Sequence, residues 1–136
     1  MLSLIFLGMV TSLSLPPLNF FIINFFIFSL FFLFLNKKNK KTGGLIFFLY
    51  GWSFGFGYFI TNLYWISISL TFDNNFKFLI PLTIFLIPGF LAIFYGLASF
   101  LFKILEPRSK IGSILTFSLI LGVMEFLRGS ILTGFP

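Results

Sequence analysis

The sequence predicts an all-α membrane protein of about five transmembrane helices, its N-terminus on the cytoplasmic side and its C-terminus at the opposite face. Three observations lead there. Of 136 residues, 59% are hydrophobic and 9% charged, with a mean hydropathy of +1.12, whereas a water-soluble domain is about a quarter charged. The charges gather in short runs, leaving uncharged stretches long enough to cross about 30 Å of hydrocarbon at 1.5 Å per residue. The basic residues also favour loops that fall on one side of the bilayer.

Leu2 to Asn36 carries no charge and is too long for one span. Pro16-Pro17 supplies the break, because consecutive prolines remove two backbone donors and disfavour helix in the residue before them. Two helices are predicted, about 2–15 and 18–35. The first, at about 21 Å for fourteen residues, is short, which fits local thinning of the bilayer or a start further upstream. A signal-peptide core is disfavoured, since no Lys or Arg precedes the apolar run and no A-x-A-like site follows it.

A third span is predicted over 45–65, reaching an interface at Tyr64-Trp65, whose rings suit an aromatic belt. Ile66-Ser67-Ile68-Ser69-Leu70-Thr71-Phe72 then alternates apolar and polar with period two, the pattern of an extended half-buried segment, with a continued helix as the alternative. After the turn Asp73-Asn74-Asn75 and Lys77 comes a fourth span, 78–102, with a kink expected at Pro88-Gly89. A fifth runs over 111–127, and Thr133-Gly134-Phe135-Pro136 reads as an exit from the bilayer.

Lys37, Lys38, Lys40 and Lys41 separate spans two and three, and Lys103, Arg108 and Lys110 separate spans four and five. These seven of the nine basic residues share one side, which the positive-inside rule makes cytoplasmic. Pro16-Pro17, Ser67 to Lys77 and the final Gly-Phe-Pro then lie on the outer side.

Much chemistry is excluded. Cys and His are absent and the acidic residues are Asp73, Glu106 and Glu125. There is thus no thiolate, no imidazole base and no Cys- or His-ligated metal, so no catalytic, cofactor or metal residue is assigned. The net charge of +6 does not indicate nucleic acid, because its main run, Lys37 to Lys41, reads as a topology signal or a contact to anionic lipid.

Gly51-x-x-x-Gly55 with Gly57 lies inside span three, where small residues let a second helix approach closely; the other reading is that they open space for a lipid chain or a partner domain. Asn62 suits an interhelical hydrogen bond worth about 0.6–2 kcal/mol, or a contact to a lipid head group. Glu125 and Arg128, three apart on one helix face, can pair. Ionisable groups inside spans cost about 2.5–3.5 kcal/mol at the centre and point to function. Near a helix end both can also snorkel to the interface, so anchor and functional clamp stay equally open.

Four stretches together carry a family resemblance: Ser14-Leu15-Pro16-Pro17-Leu18-Asn19-Phe20; Gly51-Trp52-Ser53-Phe54-Gly55-Phe56-Gly57; Asn62-Leu63-Tyr64-Trp65-Ile66-Ser67-Ile68-Ser69; and Glu125-Phe126-Leu127-Arg128-Gly129-Ser130-Ile131-Leu132-Thr133-Gly134-Phe135-Pro136. The chain resembles the N-terminal membrane region of the apolipoprotein N-acyltransferases of bacterial inner membranes. Ser130 departs from the pattern, standing where many relatives carry Trp. The resemblance implies an eight-helix enzyme with a large periplasmic nitrilase-like domain, whose Glu, Lys and Cys move an acyl chain from phospholipid through a thioester to the amine of an apolipoprotein's diacylglyceryl-cysteine. None of that triad is among these 136 residues, and neither Glu106 nor Glu125 takes the place of its base.

The resemblance therefore implies a multi-pass inner-membrane scaffold, inactive alone, that offers lipid access and seats a catalytic domain at the periplasmic face. It implies phospholipid and apolipoprotein as partners. A split enzyme with a separately encoded nitrilase-like domain is a variant of this reading. The alternative from another class is a small non-enzymatic membrane protein, such as a transporter subunit or assembly factor. Transporters place ionisable groups at the midplane and pair broken helices, and neither pattern stands out here.

Overall fold

The computed structural model of the chain describes residues 1–14, 19–37, 41–72, 74–105 and 109–131. These residues are helical throughout apart from short turns, and no strand occurs among them. The prolines at 16 and 17, the Asp73 turn position, Lys38, Lys40, Glu106, Arg108 and the closing Thr133 to Pro136 lie outside the described residues.

Helix α1 covers Leu2–Val10 and tightens into a 3-10 turn, Thr11–Ser14. The hydroxyls explain the change of pitch. Thr11 donates to the Gly8 carbonyl, Ser12 to that of Met9 at 2.8 Å and Ser14 to that of Thr11 at 2.6 Å, and such back-bonding offers the backbone an alternative to the α-helical ladder. Asn19 takes φ 54, the left-handed region that Asn tolerates better than most residues. Helix α2 accordingly starts at Ile22, four residues later than the predicted 18, and ends at Asn36.

Helix α3, Gly44–Asn62, stops where Leu63 adopts φ −107 and ψ 7. A separate short helix, α4, spans Tyr64–Ser69. This overturns the extended reading of Ile66 to Phe72: Ile66 to Ser69 are helical, and a turn follows. Two polar residues of the alternation are satisfied by their own backbone, Ser67 donating to the Tyr64 carbonyl at 2.5 Å and Thr71 to that of Ile68 at 2.7 Å. Helix α3 accordingly ends at Asn62, three residues short of the predicted 65.

A 3-10 turn over Asn74–Leu79 leads into α5, Ile80–Leu105, which runs through Pro88. Helix α6 covers Lys110–Ile131, four residues past the predicted end. Its start is capped by Ser109, whose hydroxyl accepts from the Gly112 N–H at 2.9 Å, satisfying one of the orphan donors of a first turn. Among the described residues, three helices are long and apolar enough to cross a membrane: Gly44–Asn62, Lys77–Leu105 and Lys110–Ile131. Leu2–Ser14 and Ile22–Asn36 are shorter apolar helices.

Helix α3 is the centre of the packing, with α1 on one side and α5 on the other. Between them the core is largely aromatic. Phe31 of α2 stacks on Phe54 of α3 at 4.2 Å between centroids, and Phe117 of α6 meets Phe31, Phe32 and Phe102 edge-on or tilted. Offset and edge-to-face ring pairs contribute about 0.5–1.5 kcal/mol each beyond area burial. That directional term matters in lipid, where apolar burial alone does not drive helices together. Large side chains such as Phe25, Phe85 and Leu119 point outward, as suits a hydrocarbon surround.

Candidate functional site

The two opposite charges predicted to pair do so. Arg128 Nη2 donates to Glu125 Oε2 at 2.6 Å, and Nε reaches the same oxygen at 3.2 Å. The arginine is buried within the protein: its side chain is 9% exposed against 39% for Glu125, and its guanidinium lies 5.3 Å from the Phe59 ring centroid on α3. Burying the cation against a ring face gains cation–π attraction, while the carboxylate leaves the pair neutral as a whole.

Helix α5 completes the group. Tyr95, a buried residue, lines one cavity with Glu125. Its ring lies 5.7 Å from that of Tyr58 on α3 and 5.8 Å from that of Phe59. Three helices thus converge on one carboxylate. Tyr58 and Glu125 stand about 21–23 Å along α3 and α6 from their first residues, at 1.5 Å per residue. The group is therefore nearer the C-terminal ends of α3 and α6.

Beside it opens a cavity of about 330 Å³, whose lining includes Phe28, Tyr58, Tyr95, Gly122 and Glu125. The site presents a half-exposed carboxylate and tyrosine hydroxyls at the end of an apolar recess. Such a surface can position a polar group at the edge of an apolar face. It contains no thiol or imidazole to attack an ester, and among the described residues no three of His, Cys, Asp and Glu gather to hold a metal.

The remaining predicted residues are placed elsewhere. Gly51 and Gly55 face α5: a side-chain carbon on Gly51 would strike the Tyr95 carbonyl and Ser99, and one on Gly55 would come within 2.9 Å of the Tyr95 Cβ. Gly57 faces α1, against the Ile5 carbonyl. For Asn62, neither Oδ1 nor Nδ2 makes a hydrogen bond among the described residues, so the interhelical bond is not formed there. Tyr64 and Trp65 open α4 and are 61% and 51% exposed. None of these lines the cavity beside Glu125.

Sequence reasoning missed Tyr58, Tyr95 and Phe59 at the charged pair, and Gly8 at the contact with Gly57. A usable signal existed for the tyrosines, which place phenol groups well inside otherwise apolar helices. Another missed contact is that of Trp52, which donates Nε1–H to the Gly89 carbonyl at 2.9 Å and stacks on Phe56.

Comparisons with known proteins agree with one another. A family model described as the apolipoprotein N-acyltransferase N-terminal domain matches residues 7–136. Proteins named apolipoprotein N-acyltransferase from Agrobacterium fabrum and Rhizobium etli are 38% and 40% identical over 136 aligned residues, covering 95% of this chain in each case and 26% and 25% of theirs. The protein of that name from Rhodopseudomonas palustris is 34% identical over 132 residues. The chain spans about a quarter of the length of the curated relatives it matches. No solved structure matches it significantly. With nearly its whole length aligned to one domain of one family, the chain belongs to the apolipoprotein N-acyltransferase family, to whose N-terminal domain it corresponds.

Proposed function

We propose that these residues form the membrane-embedded scaffold of an apolipoprotein N-acyltransferase, which moves a fatty acyl chain from phospholipid to the N-terminal diacylglyceryl-cysteine of an apolipoprotein. The observation that carries the reading is the match of residues 7–136 to the N-terminal domain of the family. In this reading the chain is inactive alone: no cysteine is present to carry a thioester, and the Glu125 group has no nucleophile. A nitrilase-like domain supplies the chemistry, either continuous with this chain or encoded separately.

The proposed arrangement in a bacterial inner membrane has five crossings: α1 with its 3-10 extension, α2, α3, α5 and α6. The grouping of seven of nine basic residues in two loops supports a cytoplasmic side at Lys37–Lys41 and Lys103–Lys110. Tyr64 and Trp65, exposed at the start of α4, then lie at the periplasmic interface beneath the catalytic domain, as amphipathic rings do.

The test is acyl transfer measured in membranes carrying this chain, with and without a co-expressed nitrilase-like domain from a relative. Transfer only in the presence of that domain is expected. Transfer by the purified 136-residue chain alone overturns the scaffold reading.

A further inference from the structure

We propose that α5 is jointed at Pro88-Gly89 and that its N-terminal part, residues 80–87, is an arm that swings away from α3, held closed by Trp52 and biased open by Asn62. The joint is a property of the helix packing and stands whether or not the chain serves an acyltransferase.

Helix α5 is fixed unevenly along its length. Beyond the joint it is buried at Leu91, Tyr95, Ser99 and Phe102. There it meets α3 where a glycine alone fits: Gly51 lies against Tyr95 and Ser99, and Gly55 against Ala92 and Tyr95. Before the joint none of residues 80–87 is buried, and Leu82, Phe85 and Leu86 are exposed. Tight packing thus ends where the proline begins.

The backbone is weakest at the same place. Pro88 has no N–H, so the Ile84 carbonyl loses its helical donor and is crowded by the proline ring. Gly89 adds backbone freedom at the next residue. Within the arm the Thr83 hydroxyl donates to the Ile80 carbonyl at 2.9 Å, a back-bond that loosens the helical ladder. From Ile80 to Pro88 the arm is eight steps long, about 12 Å, so a bend of about 20° at the proline carries its tip roughly 4 Å.

Two side chains of α3 set the balance. Trp52 reaches the joint and donates Nε1–H to the Gly89 carbonyl at 2.9 Å, while Phe56, stacked on the indole at 5.2 Å between centroids, steadies the ring. An indole N–H in an apolar surround has few other acceptors, so this bond ties the joint to α3. Asn62 acts the other way. Helices α3 and α5 run antiparallel, since Gly51 meets Ser99 whereas Gly55, further along α3, meets Ala92. Seven residues past Gly55, Asn62 returns to the same face of α3 about 10 Å further on, level with the arm. With the arm closed, both amide atoms of Asn62 are buried without a hydrogen-bond partner among the described residues. That disfavours closure, because a buried amide left unpaired has lost its hydration and gained nothing in return.

The experiment is double electron–electron resonance between pairs of nitroxide labels on the chain in bilayer nanodiscs. The sequence contains no cysteine, so labels go only where cysteines are introduced. Phe6→Cys, exposed on the helix that Gly8 and Gly57 clasp to α3, is the fixed point of both pairs. Leu82→Cys reports the arm and Phe90→Cys the part beyond the joint, both at exposed positions. The arm pair is expected to give two distances about 4 Å apart, and the other pair one. Trp52→Phe raises the ratio of open to closed arm roughly fivefold, equivalent to about 1 kcal/mol. Asn62→Leu and, separately, Pro88→Ala lower it by a similar factor. Circular dichroism verifies that each variant folds, and because the variants push the ratio in opposite directions, any one that folds decides the matter.

One narrow distance from both pairs, unmoved by the variants, overturns the joint and leaves Pro88 a fixed bend. Two distances from the Phe90 pair as well overturn it too, since α5 then moves as a whole. Acyl transfer is not read, so neither outcome bears on the scaffold reading.

Discussion

Gly8 of α1 and Gly57 of α3 lie against one another's helix backbone: a side-chain carbon on Gly8 would strike the Phe54 carbonyl, and one on Gly57 the Ile5 carbonyl. Backbone that close gains van der Waals contact over the length of a crossing, the main attraction available to helices in lipid. The opposite side of α3 repeats the device at Gly51, against Tyr95 and Ser99. Helix α3 is thus clasped on two sides by contacts that tolerate no side chain.

Gly57→Ala is therefore expected to push α1 away from α3 and to destabilise the bundle by about 1–3 kcal/mol, the usual cost of overpacking. Gly129→Ala, where nothing lies within 4 Å, is expected to be neutral or to stabilise by up to about 1 kcal/mol through helix propensity. Unfolding midpoints of both variants in mixed micelles check the contrast, and equal midpoints refute the close-approach account.

Removing one member of the charged pair weakens the hold on the other. Glu125→Gln takes the carboxylate at 2.6 Å away from the buried Arg128 cation and is expected to cost about 1–3 kcal/mol, less than the 3–5 of fully buried pairs because Glu125 is half-exposed. Adding Arg128→Met to that variant should recover part of the loss. A double-mutant cycle measures the coupling, expected at about 1–3 kcal/mol; a coupling near zero means the pair is incidental to folding.

Asn62 carries two amide atoms without hydrogen bonds. An unsatisfied polar group gains from replacement by an apolar one of similar shape, so Asn62→Leu is expected to leave the stability of this chain unchanged or raise it by about 1 kcal/mol. A fall in the unfolding midpoint shows that Asn62 has a partner in the folded chain.

Trp52→Phe removes the bond to the Gly89 carbonyl while keeping an aromatic ring against Phe56. The expected loss is about 0.5–1.5 kcal/mol, that of one net hydrogen bond. Chemical unfolding followed by circular dichroism measures it, and a larger loss assigns the ring itself a greater role than the bond.

Composition was enough to read a helical membrane chain, because stretches such as Leu2 to Asn36 and Phe78 to Phe102 admit few alternatives at their length. The Glu125–Arg128 pair was legible from spacing, and its burial was not. Hydropathy normally marks the inward face of a helix, but where almost every residue is apolar it cannot say that Phe59 shields Arg128 while Phe85 faces out. Tyr95 escaped notice for the same reason. The period-two pattern after Trp65 misled because Ser67 and Thr71 satisfy their hydroxyls on carbonyls three residues back, an option open to a helix. Glycine spacing pointed to close packing in α3, yet only the structure distributes it, Gly51 and Gly55 toward α5 and Gly57 toward α1.

The ion pair between Glu125 and Arg128 also bears on how the protein meets the membrane voltage. A unit charge carried across the bilayer gains or loses about 2.3 kcal/mol per 100 mV. Because the two charges cancel within one turn of α6, the field exerts a weak torque on the pair and no net pull. In the proposed membrane arrangement, helix α6 is then neither drawn up nor driven down at this point by a change in voltage.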